Sequence, residues 1–137
     1  MSSSIKAENL QKELMKYLED YVEDVEDGVI EKTDELSKDA VKELKQNSPR
    51  RENGTRKNPY WKGWTSNKES KGRKYSRKIH NKTNYQLTHL LENGHTTKNG
   101  GRTKAQPHIR PVEEKYSKLY EEEIKKIITR RSNSWRT

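Results

Sequence analysis

The sequence predicts an α+β fold: a long N-terminal helix and a C-terminal helix packed on a small antiparallel sheet, with extended loops. Three observations carry that prediction. Apolar residues recur at helical spacing over residues 5–46, a basic segment at 60–81 alternates with a period of two, and a second helical stripe runs from 111 to 131. The predicted order is helix, strand, strand, short helix, loop, helix, in a single domain over 1–137. Its parts are an acidic helical segment (1–46), a basic segment of sheet, short helix and loops (47–112), the final helix (113–131) and a tail (132–137).

The first helix rests on Leu10, Leu14, Leu18, Tyr21, Val25, Val29, Leu36, Ala40 and Leu44, whose steps are mostly three or four residues and place them on one stripe. Ser3 or Ser4 is the expected cap, with Glu8 near the capping-box position. Gly28 interrupts the stripe at a cost of roughly 1 kcal/mol relative to Ala, and predicts a kink or a split there. The stripe is longer than a small core needs, so part of it is expected to pack on a neighbouring subunit.

Pro49, Gly54 and Pro59 break the chain after this helix, and Asn53-Gly54 is a turn signal. Residues 60–81 then read as a hairpin. Tyr60, Trp61 and Trp64 open the first strand, and Lys71-Gly72 lies in the turn. In the second strand Tyr75, Arg77 and Ile79 face inward and alternate with Lys74, Ser76 and Lys78. A short helix follows over 84–94, capped by Thr83 or Asn84, with Leu87, Leu90 and Leu91 inward and Gly94 as its stop. Residues 95–106 form a polar loop, and 103–110 offers a possible third strand. Pro111 suits the first turn of the last helix, and Glu113 and Glu114 suit its positive end.

Composition narrows the functional classes. Only 26% of the 137 residues are hydrophobic and 37% are charged, so the chain buries a small core at most. There is no Phe, and seven Tyr and three Trp supply the aromatic surface. The absence of Cys excludes disulfides and thiolate chemistry. No apolar run is long enough to span a membrane, and the N-terminus lacks the apolar core of a signal peptide, so the protein is expected in the cytosol or in a particle assembled there.

The net charge of +9 is unevenly spread. Residues 1–46 hold seven Lys and Arg against thirteen Asp and Glu, a balance of −6, whereas 47–112 hold sixteen against three, a balance of +13. Such a division points to head-to-tail contact between copies, or to nucleic acid near the middle of the chain.

No catalytic constellation accompanies these features, and the chain is read as a non-enzyme. His80, His89, His95 and His108 lack metal-pair spacing and have no Cys beside them, so neither a metal nor another cofactor is expected. The segment "GGR" at 100–102 lacks the glycines and lysine of a phosphate loop. The pairs Glu19/Asp20, Glu23/Asp24 and Glu26/Asp27 lie on an exposed helix face, solvated or paired with a neighbour's cations. The basic stretch 50–78 permits two readings. Tyr60, Trp61, Trp64 and Tyr75 either stack on bases while Lys and Arg meet phosphates, or fill the core under the sheet.

The order of short motifs is distinctive. Ser48-Pro49 precedes a loop with Gly54, then a "GW" strand and a basic strand ending at Asn81. Tyr85 follows, then Leu91-Glu92-Asn93-Gly94-His95, a loop, and Pro107-His108-Ile109-Arg110-Pro111-Val112 opening the final helix. This order resembles the Hong Kong 97 gene-product-ten-like family of tailed-phage morphogenesis proteins over about 48–125, with the acidic helix matched in type only. His108 stands where that family usually has Phe, and Val112 where it has Ala.

The resemblance implies structural roles for Asn81, Tyr85, Glu92, Gly94, Pro107, Ile109 and Pro111. It implies a virion protein at the neck, in tail completion or as tail terminator. Such a protein would assemble in the host cytoplasm as a homo-oligomeric ring, hexamer or dodecamer, that meets head-completion, connector and tail proteins around double-stranded DNA. Two loops, 50–57 and 95–104, carry no apolar residues of their own and are expected to order on docking. Arg50, Arg51, Arg56 and Lys57 in the first, and Lys98, Arg102 and Lys104 in the second, with Arg110, are then expected at contacts between subunits or rings. The alternative is a small basic nucleic-acid-binding module using 50–78.

Overall fold

The computed structural model describes residues 7–50, 58–72 and 74–134. Helix α1 (Ala7–Asn47) leads through a 3-10 turn (Tyr60–Gly63) into β1 (Trp64–Lys71) and β2 (Lys74–Asn81), followed by α2 (Leu87–Asn93) and α3 (Ile109–Ser134). This is the predicted α+β arrangement of two long helices and a small antiparallel sheet. The expected caps Ser3 and Ser4 and the 51–57 loop, with Arg51, Arg56 and Lys57, lie outside the described residues.

Helix α1 is the spine. It packs antiparallel on α3, and its second half also carries both strands and the 3-10 turn. Its buried positions are Thr33, Ser37, Ala40 and Leu44, with Ser48 one turn beyond. Their steps of three and four make one narrow stripe of mostly small side chains, so neighbouring backbone approaches closely. Thr33 and Ser37 were not expected on that stripe. Thr33 tolerates burial because its hydroxyl donates to Val29 O (2.7 Å) and meets the Tyr120 hydroxyl (3.1 Å).

Gly28 does not split α1, which is helical throughout Ala7–Asn47. It faces α3, where a Cβ would lie 3.0 Å from Ile127 Cγ2. The missing side chain makes room for a neighbouring helix. Further contacts hold the pair: Lys32 to Glu123 (3.6 Å) and Lys115 to Glu43.

The sheet has two strands, paired from Trp64 opposite Asn81 to Lys71 opposite Lys74. Tyr60–Gly63 is a 3-10 turn and not the start of β1. Residues 103–108 add no third strand. Their backbone is directed to the end of α2 instead, with Thr103 N donating to His95 O (2.8 Å) and Gln106 N to Leu91 O (2.8 Å). Helix α2 starts at Leu87, later than predicted, and neither Thr83 nor Asn84 caps it through a side chain. The Asn81 carboxamide organises the preceding turn, accepting from Thr83 N (3.2 Å) and Asn84 N (2.9 Å).

The core sits where the end of α1, the 3-10 turn, the open end of the hairpin and the start of α3 converge: Ala40, Leu44, Tyr60, Trp64 and Val112, with Ile79, Leu87, Leu91, Ile109 and Tyr116 packed around it. It is small, as the composition requires.

Candidate functional site: assembly surfaces on a buried clamp

The first turn of α3 has exposed backbone N–H groups and the positive end of the helix dipole, which a carboxylate satisfies. Glu113 and Glu114 lie beyond that first turn, and the carboxylate comes from α2. Glu92 Oε2 accepts from His108 N (2.8 Å) and Ile109 N (2.9 Å), and Oε1 from Arg110 N (2.9 Å). Burial pushes the Glu92 carboxyl up, but the three backbone donors and the nearby His108 ring outweigh it and hold the group below its ordinary value.

His108 completes the clamp. It is 2% exposed, and its Nδ1 lies 2.8 Å from Gln106 O and 3.1 Å from Glu92 Oε2. Two acceptors there place the proton on Nδ1, so Nε2 receives the Tyr60 hydroxyl at 2.7 Å. Burial, and then Glu92, raise the Tyr60 hydroxyl pKa well above its usual range. Tyr60, Trp64 and His108 meet edge to face, with ring centroids 5.5 to 6.1 Å apart. Asn81, 1% exposed, donates to Tyr60 O (2.8 Å), and Trp64 Nε1 donates to Ser48 Oγ (2.6 Å). The polar groups of the clamp are thus committed to one another, and none is left aimed at solvent as an acid or base.

The motif residues divide accordingly. Asn81 and Glu92 are joined through Tyr60 and His108. Gly94 has φ 75°, and a Cβ there would press on Thr103 O and Ala105 N, so the base of the loop depends on its absence. Ile109 is half-buried beside the fully buried His108, while Tyr85, Pro107, Arg110 and Pro111 are exposed. Tyr60, Trp64, Ser48 and His108 carry the clamp without having been singled out as a group. The signal available for them was the unbroken run Gln106–Pro111, whose two prolines fix the backbone around His108.

The outer surface is segregated. From Glu8 to Asp20 every residue of α1 is exposed, including Leu10, Leu14 and Leu18 at 47%, 54% and 57%. Lys68 stands exposed on the inner face of the hairpin, over the Tyr75 ring, and Lys71, Lys74 and Lys78 form an exposed basic row on its outer face. Beneath it Tyr75 and Arg77 both bond Asp34 of α1, and these bonds, Tyr75 first, hold that carboxyl below its ordinary range.

The 95–104 loop does not lack internal order, contrary to expectation. Thr96 and Arg102 form a β-bridge, and Thr97 N donates to Gly101 O (2.7 Å). Thr103 Oγ1 takes the His95 N–H (2.9 Å), and Arg102 reaches Asn93 O (3.3 Å). The strand-like ladder explains how a loop without apolar anchors holds shape, with Lys98 and Lys104 on its surface. Arg50 is also engaged, stacked 3.9 Å over Trp61 and bonded to Lys45 O (3.1 Å).

Residues 12–94, which span α1, the hairpin and α2, match the family model described as "Bacteriophage HK97-gp10, putative tail-component". The chain belongs to the HK97 gp10-like family. The matched segment takes in most of α1, which the motif resemblance had matched in type only, and it ends at the Gly94 stop, before the loop and α3. Neither a curated protein nor a solved structure matches the chain. As a member of a phage tail-component family it is a structural phage protein, and no helix among its described residues is long and apolar enough to cross a membrane.

Proposed function

We propose that this chain is a non-catalytic virion protein that forms a homo-oligomeric ring at the head–tail junction, as a neck, tail-completion or tail-terminator component. The observation that carries the reading is the segregation of surfaces on one small subunit. Half of α1 is exposed, acidic and apolar-striped, while the hairpin presents a basic row. Unlike surfaces on one chain suit head-to-tail contact between copies, which closes into a ring when the rotation permits. The ring we propose is a hexamer or dodecamer around double-stranded DNA.

The self-bonded 95–104 loop, with Lys98, Arg102 and Lys104 at its surface, suits docking on acidic surfaces of an adjacent connector or tail ring. Arg50 and Arg110, with Arg51, Arg56 and Lys57 of the loop outside the described residues, belong to the same proposed contacts. A channel that must release DNA is poorly served by a strong phosphate grip, since each neutralised phosphate adds affinity. The nucleic-acid module is the weaker reading because Tyr60 and Trp64 are buried in the core and unavailable for stacking on bases.

Electron images and sedimentation of the purified protein, alone and mixed with tail tubes, test the proposal. Closed rings, or density at the end of the tubes, are the expected result. A monomer that leaves tubes bare and binds DNA with a steep salt dependence would overturn it.

A further inference from the structure

We propose that the N-terminal half of α1 inserts its leucine stripe into the groove between α1, α3 and the sheet of the next copy, with its carboxylates against that copy's basic hairpin. The inference rests on the oligomeric reading above and names the surfaces that would make the contact. The groove has a volume of about 500 Å³, and Leu36, Ile79, Ile109, Tyr116 and Tyr120 are among its lining residues. Its charged lining residues are Arg77, paired with its own Asp34, and Glu113. It is therefore a largely apolar trough. Leu10, Leu14 and Leu18 repeat every four residues and stand on one face of α1, and each is about half exposed.

A chain cannot fill its own groove with this stripe. Residues 33–44 of the same α1 form one wall, and α1 continues unbroken from there to its N-terminal half. Leu18 lies fifteen residues before Thr33, about 22 Å away along the axis at 1.5 Å per residue. Only another copy can bring the two together.

Charge selects the groove over a pairing of two α1 helices. Residues 8–27 hold eight Asp and Glu against two Lys, six of the acids lying just past the leucines in 19–27, so two such helices aligned side by side bring those acidic stretches together and repel. The hairpin, residues 64–81, holds six Lys and Arg against one Glu. Its β2 strand contributes Tyr75, Ser76 and Arg77 to the groove, and Lys68 of β1, opposite Arg77 in the register, stands exposed on the same face with its Nζ 5.5 Å over the Tyr75 ring. An acidic helix seated in the trough thus meets cations at its flank. Each subunit offers one stripe and one groove, so the contact propagates around a ring.

The absence of native Cys makes the test direct. Leu14→Cys and Ser117→Cys are prepared separately, mixed and oxidised, Ser117 being an exposed residue of the groove. A disulfide dimer that forms in the mixture and in neither variant alone is the expected result. A Leu14→Cys dimer formed alone means helix-to-helix pairing and overturns the proposal. An oligomer without any cross-link overturns the groove contact and leaves the ring reading standing. Sedimentation gives the second arm. The double variant Leu14→Glu, Leu18→Glu changes exposed positions, so its circular dichroism should match that of the native chain while self-association weakens about tenfold or more. Unchanged association overturns the proposal, and a native chain that stays monomeric at the highest soluble concentration overturns both it and the ring.

Discussion

Glu92 and His108 show how much of the fold hangs on two side chains. One carboxylate satisfies three backbone donors and opposes the positive end of a 26-residue helix. Glu92→Ala should cost about 2–3 kcal/mol in urea unfolding, since hydrogen bonds to a charged group and a dipole contact are both lost. The held-down carboxyl also predicts a pH effect. Its folded pKa lies below the ordinary 4.5, so its stabilisation is complete above that value and is lost as pH falls through the lower folded one. Unfolding free energy should therefore drop between pH 5 and about pH 3, and Glu92→Gln should flatten part of that drop. Tyr60→Phe leaves His108 Nε2 buried without a donor and should cost about 1–3 kcal/mol. Adding His108→Phe removes the stranded acceptor, so the double variant should lose less than the sum of the singles, with a coupling of about 1 kcal/mol. If the two effects simply add, the hydroxyl–imidazole bond is energetically idle.

At the scale of elements, the helices and the hairpin were legible because periodicity reports which face is buried. The stripe of α1, the alternation of Tyr75, Arg77 and Ile79, and the Gly94 stop are local signals, and the structure contains each. What escaped were features fixed by distant partners. Thr33 and Ser37 carry no apolar signal and stand outside the predicted stripe, yet small side chains suit a close helix contact, and the Thr33 hydroxyl is satisfied within the helix by Val29 O. Gly28 read as a defect because its partner, Ile127, is 99 residues away in sequence. Glu92 was placed by motif alone, and its target across the loop was invisible to spacing. The third strand failed because β propensity carries no information about hydrogen bonds already directed to α2. Gly28→Leu should separate α1 from α3 and cost about 2 kcal/mol through overpacking, despite the higher helix propensity of leucine. A thermal melt that rises on this substitution would mean the helices have slack there.

For the whole molecule, the decisive property is that charge and exposed apolar surface are divided between its regions. Association driven partly by the −6 and +13 segments should weaken between 0.05 and about 0.5 M salt, because screening reaches about 10 Å at 0.1 M. Insensitivity to salt would assign the contact to leucines alone. Joint reversal of Lys98, Arg102 and Lys104 to Glu should leave the melt within about 0.5 kcal/mol, as surface changes usually do, apart from the single Arg102 bond to Asn93 O. The readout is joining of heads to tails, which should fail; normal joining with slowed DNA ejection would assign the loop to the channel. The clamp has one more consequence. Gln106 N on Leu91 O, together with Glu92 under the first turn of α3, pins both ends of the segment between them. With its ends fixed, doubling the length of that segment costs only about 0.6 kcal/mol of closure entropy. The tip is in effect an exchangeable cartridge on a sealed socket. Several residues inserted at Asn99-Gly100 should leave unfolding within about 1 kcal/mol of the native chain, so what the tip presents can change without disturbing the domain that carries it.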